Sequence, residues 1–470
     1  MLRAGVGSGV VTAVVAALGL AVVPASADTM RWALTQAYIN NPTLNAQRAS
    51  VRATDESVPQ ALSGYRPRVS LSASVGEAFI DSTSKSTSAT GTVSYPRSIG
   101  NNGIQTYGAT YTQTLLNGFG TASRTRQAEQ LVSAAREILR NTEQTVLLQA
   151  ATAYMNLIRD AALLSLQRSN VEVLQEQLRQ TRDRYDVGEV TRTDVAQSES
   201  RLAAARAQLL TAESNYTTSR STYRQIIGVD PGRLEPASPV DRLSPSTLQQ
   251  SIVLARARHP QVTTSMFNVD AATFQVKVAE SSLYPTLNAV GSVQKTYGSA
   301  TQLTSIETFT ASGTAQLNVP IYQGGTEYSQ IRQAKETLQQ RRIDLDTARE
   351  AQQQIVVQAW GALEAAKAQV QATQTQVNAA EIALNGVREE ARVGQRTTLD
   401  VLNAQQELVN ARASLVTAQR DRVVQSYTVL AATGGLSPTV LALDVPIYDP
   451  TVHYHQVRDT WAGVRTPDGK

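Results

Sequence analysis

The 470-residue sequence contains no cysteine, which excludes disulfide staples, thiol nucleophiles, thiolate metal sites and a lipidated cysteine. Histidine is almost as scarce: three residues, His259, His453 and His455, too few and too scattered for a zinc helix motif. No phosphate-binding loop or nucleophile elbow occurs, so neither fuel consumption nor hydrolytic chemistry is expected, and the chain reads as a non-enzyme needing no cofactor or metal. Aromatic residues make up only 5%. Charge of one sign is also missing as a feature: 43 Lys and Arg against 39 Asp and Glu are interspersed, with no basic stripe of the kind that grips nucleic acid. Beyond residue 27 there is no apolar run long enough to cross a bilayer as a helix.

The N-terminus is built differently. Arg3 is the sole early charge, an apolar run follows from about Val10 to Val23, and Ala25-Ser26-Ala27 supplies a small-x-small cleavage pattern. The expectation is an export signal over 1–27, leaving Asp28 as the mature terminus. An exported chain without apolar helices can enter a membrane only through strands.

The remainder is duplicated. Asn41-Pro42 returns as His259-Pro260 and Tyr65-Arg66-Pro67 as Leu283-Tyr284-Pro285, at a constant spacing (41 to 259, 65 to 283). Arg126-Gln127-Ala128 returns as Arg332-Gln333-Ala334, Val187-Gly188 as Val393-Gly394, and Asp194-Val195 as Asp400-Val401, at a second, shorter spacing (126 to 332, 187 to 393). The change of spacing places extra residues in the Ser/Thr/Gly-rich segment Asp81–Gly103, where a loop absorbs insertions cheaply. Two repeats are expected, 28–234 and 235–438, followed by a tail over 439–470. Each repeat reads as a short helix, a helix ending before Pro67 or Pro285, a strand hairpin (about 68–116 and 286–319), and a long helical hairpin (about 122–228 and 326–434).

The strands alternate strictly. Val69, Leu71, Ala73 and Val75 interleave with Ser70, Ser72, Ser74 and Gly76, and Tyr107, Ala109 and Tyr111 with Thr106, Gly108, Thr110 and Thr112. The second hairpin repeats this with Leu287, Ala289, Val293, Phe309, Ala311, Ala315 and Leu317 on the apolar side. A period of two gives one apolar and one hydroxyl-rich face, as a barrel wall between lipid and a wet lumen requires. Strands of about ten residues suit a tilted span. Four strands cannot close, and open edges are not tolerated in lipid, so copies of the chain must pool their strands.

The helical segments are unusually long: Ala122 to Asp186 contains neither Pro nor Gly, and at 1.5 Å per residue it extends roughly 100 Å. Spacings of three and four at Leu202, Ala205, Leu209, Ala212, Tyr216, Ser219, Tyr223 and Ile226, and at Val171, Leu174, Leu178, Thr181 and Tyr185, mark coiled-coil seams. Gly188 and Gly394 fit the left-handed residue that closes a helix, with Thr191 or Thr193, and Thr397 or Thr398, available to cap the returning one.

Four motifs, in order, carry a resemblance: Tyr38-Ile39-Asn40-Asn41-Pro42, Gly64-Tyr65-Arg66-Pro67, Pro320-Ile321-Tyr322-Gln323-Gly324-Gly325, and Val393-Gly394-Gln395-Arg396-Thr397-Thr398-Leu399-Asp400-Val401-Leu402. From Ala33 to about Pro438 the chain resembles the TolC family of outer-membrane factors, in its efflux and type I secretion branch. The resemblance implies a homotrimer: a twelve-stranded β-barrel with four strands per protomer, seated in outer-membrane lipid and continuous with a periplasmic α-helical barrel. It further implies a periplasmic adaptor protein and an inner-membrane transporter as partners, making the chain a passive exit duct. The hairpin tips, Val187-Gly188 and Val393-Gly394, correspond to the adaptor-contacting periplasmic mouth. Asp400 corresponds to a constricting acidic ring, and Asn403 stands where the family often has a second aspartate, so one ring of charge is expected. Arg396 corresponds to an arginine that ties one helix pair to the next through Thr193 and Asp194. The family tyrosine assisting this lock is Ala391 here, with Tyr185 a candidate substitute.

Other readings weigh less. An outer-membrane adhesion or structural protein with a helical stalk would carry elaborate outer loops, whereas Asp81–Gly103 and the region around Tyr297–Ile306 are short and bland. A soluble periplasmic adaptor would lack the duplicated hairpins. The tail, with Pro438, Pro446, Pro450 and Pro467 and no helical period, is expected along the outside of the helices or partly disordered. His259 reads as structural, and His453 and His455 lack the companions a metal site needs. Cargo, and whether the partner is an ABC transporter or a proton-driven pump, are not encoded legibly.

Overall fold

The structure is a computed structural model that describes residues 28–300 and 304–467. The export signal expected over 1–27 lies outside them.

The first repeat opens with α1 (Met30–Asn40), α2 (Pro42–Asp55) and α3 (Ser57–Leu62). Asn41 caps α2 by accepting from the amides of Thr43 and Leu44, at 3.0 and 3.2 Å, with Pro42 at the first helical position where its missing N–H costs nothing. Strand β1 (Arg68–Thr83), a small outer pair β2 (Ser86–Thr87) and β3 (Val93–Ser94), and β4 (Arg97–Asn117) follow. Then come the long helix α4 (Gly120–Asp186) and its return α5 (Arg192–Ile227). The second repeat has α6 (Leu248–Arg258), α7 (Pro260–Glu280), β5 (Thr286–Ala300), β6 (Thr304–Asn318), α8 (Thr326–Arg392) and α9 (Thr398–Ala432). α4 and α8 each contain 67 residues, and the returns contain 36 and 35, so the duplication extends to helix length.

His259 reproduces the Asn41 cap: its Nδ1 accepts from the Gln261 amide at 3.2 Å ahead of Pro260. Burial holds its pKa down at about 4, so the ring is neutral and free to accept. The structural reading of His259 therefore stands. One detail differs between the repeats: α7 runs unbroken for 21 residues, whereas its counterpart is split at Glu56 into α2 and α3.

Four strands form one antiparallel sheet in the order β1-β4-β5-β6, in continuous register from Arg68↔Thr112 through Thr286↔Asn318, with one bulge between Thr114 and Leu116. β1 and β6 are its two edges. At 15 to 21 residues these strands exceed the ten expected. The reason lies at the outer end: much of Asp81–Gly103, read as loop, continues the ladder to Thr83↔Arg97, and the Arg97 guanidinium grips the Asp81 carboxylate at 2.9 and 2.6 Å.

At the other end the helices pack around an equatorial core where α1, α4, α5 and α9 meet, built on Leu147, Ala150, Tyr154, Tyr223, Ile227 and Leu430. The Tyr154 hydroxyl lies 2.7 Å from the carbonyls of Asp28 and Glu235, binding the start of the first repeat to the start of the second. The seam predicted through Ile226 slips by one position here: Ile227 is the fully buried residue and Ile226 is half-buried.

In the tail, where no helical period is visible in the sequence, one short helix forms. Residues Thr451–Val457 form a helix, α10, docked on α2 and α4. Its His453 Nδ1 lies 3.0 Å from Oδ2 of the buried Asp55, with the Arg136 guanidinium 3.9 Å from the other carboxylate oxygen and stacked on Tyr454. A seven-residue helix is too short to reveal a period, and tertiary burial of His453 supplies the stability that propensity does not.

Candidate functional site: helix tips and strand wall

Each long hairpin turns in the same way. α4 ends at Val187, and Gly188 at φ +80° lets its amide reach the Tyr185 carbonyl (2.9 Å) and the Glu189 amide reach the Arg184 carbonyl (2.9 Å). α8 ends at Val393, Gly394 sits at φ +78°, and the Gln395 amide bonds the Glu390 carbonyl at 2.9 Å. These close the helices through a left-handed residue that a side chain would strain. The returning helices begin with capping boxes. Thr191 and Asp194 exchange bonds (Thr191 amide to Asp194 Oδ2, 2.9 Å; Asp194 amide to Thr191 Oγ1, 3.4 Å), as do Thr397 and Asp400 (3.0 and 3.2 Å). Of the candidate caps, Thr191 and Thr397 are used; Thr193 and Thr398 lie in the first turn.

The tips meet across a groove of about 800 Å³ lined by Glu176, Asp194, Arg388, Ala391, Arg396 and Thr397 among others. Asp194 and Arg396 are thus brought to one groove, but within the protomer Arg396 donates through Nε to Glu390 Oε2 at 2.7 Å, and the Asp194 carboxylate serves its own cap. Asp400 is half-buried, and hydrogen bonds from Thr397, backbone first, with Arg396 nearby, hold its carboxyl below the usual range; it is a secured anion. The Glu390 carboxylate likewise raises Arg396.

Sequence reasoning missed two ties. Asn403 Oδ1 accepts from Arg201 Nη2 of α5 at 2.7 Å, so the position that lacks a second aspartate clasps the two hairpins together. Leu402, with Val401 beside it, is buried among Val171, Leu174, Leu178 and Leu202 of the first hairpin. The seam residues Val171, Leu174, Leu178 and Thr181 are buried as predicted, whereas Tyr185 is exposed.

The strand wall is exposed on both faces. Val69, Leu71, Val75 and Phe79 on β1 are 69, 84, 80 and 70% exposed, with Phe309 and Leu317 of β6 on the same face. That face is topped by Tyr107 and Tyr297, edge-to-face at 6.4 Å, and by the Lys295–Glu307 pair at 2.5 Å. The other face carries Ser70, Ser72, Ser74, Thr106, Thr110, Ser292 and Thr310, with Ser292 and Ser312 hydroxyls 2.7 Å apart. Among the described residues no group of three His, Cys, Asp or Glu is arranged to hold a metal.

Comparison with known proteins agrees with this architecture. Residues 33–229 and 251–435 match the family described as outer membrane efflux protein. The chain is 42% identical over 452 residues to the outer membrane efflux protein BepC of Brucella suis, covering 95% of this chain and 94% of that one. It is 28% identical over 332 residues to the outer membrane protein TolC of Escherichia coli, covering 66% and 65%. The solved CmeC outer membrane channel of Campylobacter jejuni superposes with a TM-score of 0.71 at 17% identity, over 92% of this chain and 89% of that one, and shares the fold. A sheet with a bare apolar face, standing on paired helices of 67 residues, belongs with these proteins: the chain is a member of the outer membrane efflux protein family, a non-enzymatic channel of the outer membrane that extends into the periplasm.

Proposed function

We propose that three copies of this chain close a twelve-stranded barrel in the outer membrane, continued by a helical tunnel through the periplasm, and that the assembly is the exit duct of a tripartite pump or type I secretion machine. The observation that carries the reading is the four-stranded sheet with β1 and β6 both unpaired at their outer edges and its apolar face uncovered. In lipid every such edge must find a partner, and rotation about an axis supplies β1 of the next copy to β6 of the last. Eight strands would be filled by side chains, while twelve leave a lumen.

On this reading the periplasmic mouth is the ring of hairpin tips, with Val187, Gly188, Val393 and Gly394 meeting the adaptor protein. Asp400 faces its copies around the axis as a ring of fixed negative charge that favours cations. Arg396, held at rest by Glu390, reaches Thr193 and Asp194 of the adjoining pair, and Arg201–Asn403 keeps each protomer's hairpins together. An inner-membrane transporter supplies the energy.

The test is reconstitution of the mature protein into planar bilayers after establishing its mass in detergent. A trimer conducting with cation preference, with the preference reduced in Asp400→Ala and leakage raised in Arg396→Ala, is the expected result. A water-soluble monomer would overturn the duct, and unchanged selectivity in Asp400→Ala would remove that residue from the mouth.

A further inference from the structure

The roots of the four strands, where the barrel hands over to helices, are marked by exposed aromatic rings. Tyr65 lies three residues before β1, Tyr284 two before β5, and Phe119 two after β4. Phe119 holds φ +62°, at the position where the second repeat has Gly325 at φ +85°. An aromatic side chain is thus kept in the left-handed region, at a cost of about 1–2 kcal/mol, where glycine would serve the backbone better. Gly118 before it packs against Tyr284.

The repeats differ at each of these rim positions: Tyr65 matches Leu283, Phe119 matches Gly325, and the third difference runs the other way. Tyr284 of the second repeat corresponds to Arg66 of the first, so the first repeat lacks this ring. Arg66 instead gathers one from the far end of the chain. Its Nη1 donates to the Thr460 carbonyl at 2.6 Å, and its guanidinium sits 4.9 Å from the centre of the Trp461 ring. The tail is delivered there by fixed contacts: His453 on buried Asp55, Tyr454 under Arg136, and Arg458 3.8 Å from Glu129. Trp461 is nonetheless 70% exposed and Val464 entirely so. Buried contacts therefore carry a tryptophan to the strand roots and leave it uncovered.

We propose that the C-terminal tail is a membrane-interface anchor: Trp461, seated on Arg66, inserts among the glycerophospholipid headgroups of the periplasmic leaflet and completes the aromatic rim that Tyr284 supplies in the second repeat. Continuity with the apolar wall, which begins at Val69 three residues beyond Arg66, identifies the occupant as lipid. Tryptophan is the side chain best suited to that depth, with an apolar body and one polar N–H. This inference rests on the barrel reading above.

The experiment uses the full mature chain with Trp32→Phe and Trp360→Phe, leaving Trp461 as the only tryptophan, in proteoliposomes of phosphatidylcholine brominated near the headgroup. A second protein, with all three native tryptophans replaced by Phe and Leu71→Trp on the outer wall, reports the barrel. The expected result is lipid quenching of Trp461 comparable to that of Leu71→Trp, protection of Trp461 from aqueous iodide, and loss of both in Arg66→Ala while the trimer persists. Trp461 open to iodide and unquenched by lipid, beside a quenched Leu71→Trp, would overturn the anchor alone. An unquenched Leu71→Trp would overturn the barrel and the anchor with it.

Discussion

α4 and α8 are twins in length and in position within their repeats, yet α4 has 24 buried residues and α8 has 12. The deficit is concentrated in the half nearest the sheet. There α4 packs against α2, α3 and α7, while α8 has α7 and, only from about Glu350 onward, α6. Matched leucines record the difference: Leu139 is 2% exposed and Leu345 only half-buried. Duplication gave both helices the same need for neighbours, and a single chain meets it for only one of them. In the proposed trimer the uncovered flank of α8 would take α2 and α3 of another copy, and the asymmetry would mark the subunit seam.

Two substitutions would break or sharpen this contrast. Leu139→Ala should destabilise the protomer by about 2–5 kcal/mol, the range for a large-to-small change in a closed core. Leu345→Ala should leave the protomer's secondary structure intact and instead lower the temperature at which the trimer separates, as read by circular dichroism beside native electrophoresis. Equal effects on both readouts would erase the distinction.

The repeat junctions differ in acid sensitivity. His259 is held at about 4 against an ordinary value of 6.5, so the unfolded state binds the proton more readily. Stability from this junction is full above pH 6.5 and is lost as pH falls towards 4, by up to roughly 3 kcal/mol. His259→Asn, which copies the Asn41 junction, should flatten that part of the melting-temperature profile. At the tips, Thr397→Ala removes one capping box and should cost about 1 kcal/mol, visible as faster amide exchange in the first turn of α9, with Thr191→Ala doing the same in α5. The smallest effect is expected from Asn403→Asp: it keeps an acceptor for Arg201 and adds a charge near Asp400, so bilayer cation preference should rise modestly with no change in melting.

Much of this architecture was legible because duplication and periodicity reinforce each other. Val69 to Val75 alternate without exception, Gly188 and Gly394 occupy matched tips, and Thr326–Arg392 forms one helix despite Gly361 and Gly386. The strand ends were not legible, because Asp81–Gly103 has loop composition and is held in the ladder by pairing and by Arg97–Asp81. The break at Glu56 follows from Pro59, whose missing amide cannot bond the Asp55 carbonyl, whereas the short α10 depends on contacts from distant sequence that local propensity does not contain. At the tips, chain order located Asp400 and Asn403 but could not disclose that Asp400 is a capping residue or that Asn403 faces Arg201.

The hydroxyl face of the sheet has a final consequence. Rung after rung offers Ser and Thr at nearly constant spacing, among them Ser72, Thr106, Thr110, Ser292 and Thr310, with no fixed ion projecting from these rungs. In the proposed barrel a travelling molecule would exchange water for hydroxyl at almost equal free energy along these rungs, so this stretch would have neither wells in which to linger nor barriers to climb. Such a flat stretch would not discriminate between cargoes, and on the proposed reading the choice of what departs falls to the mouth and to the machinery that fills the duct.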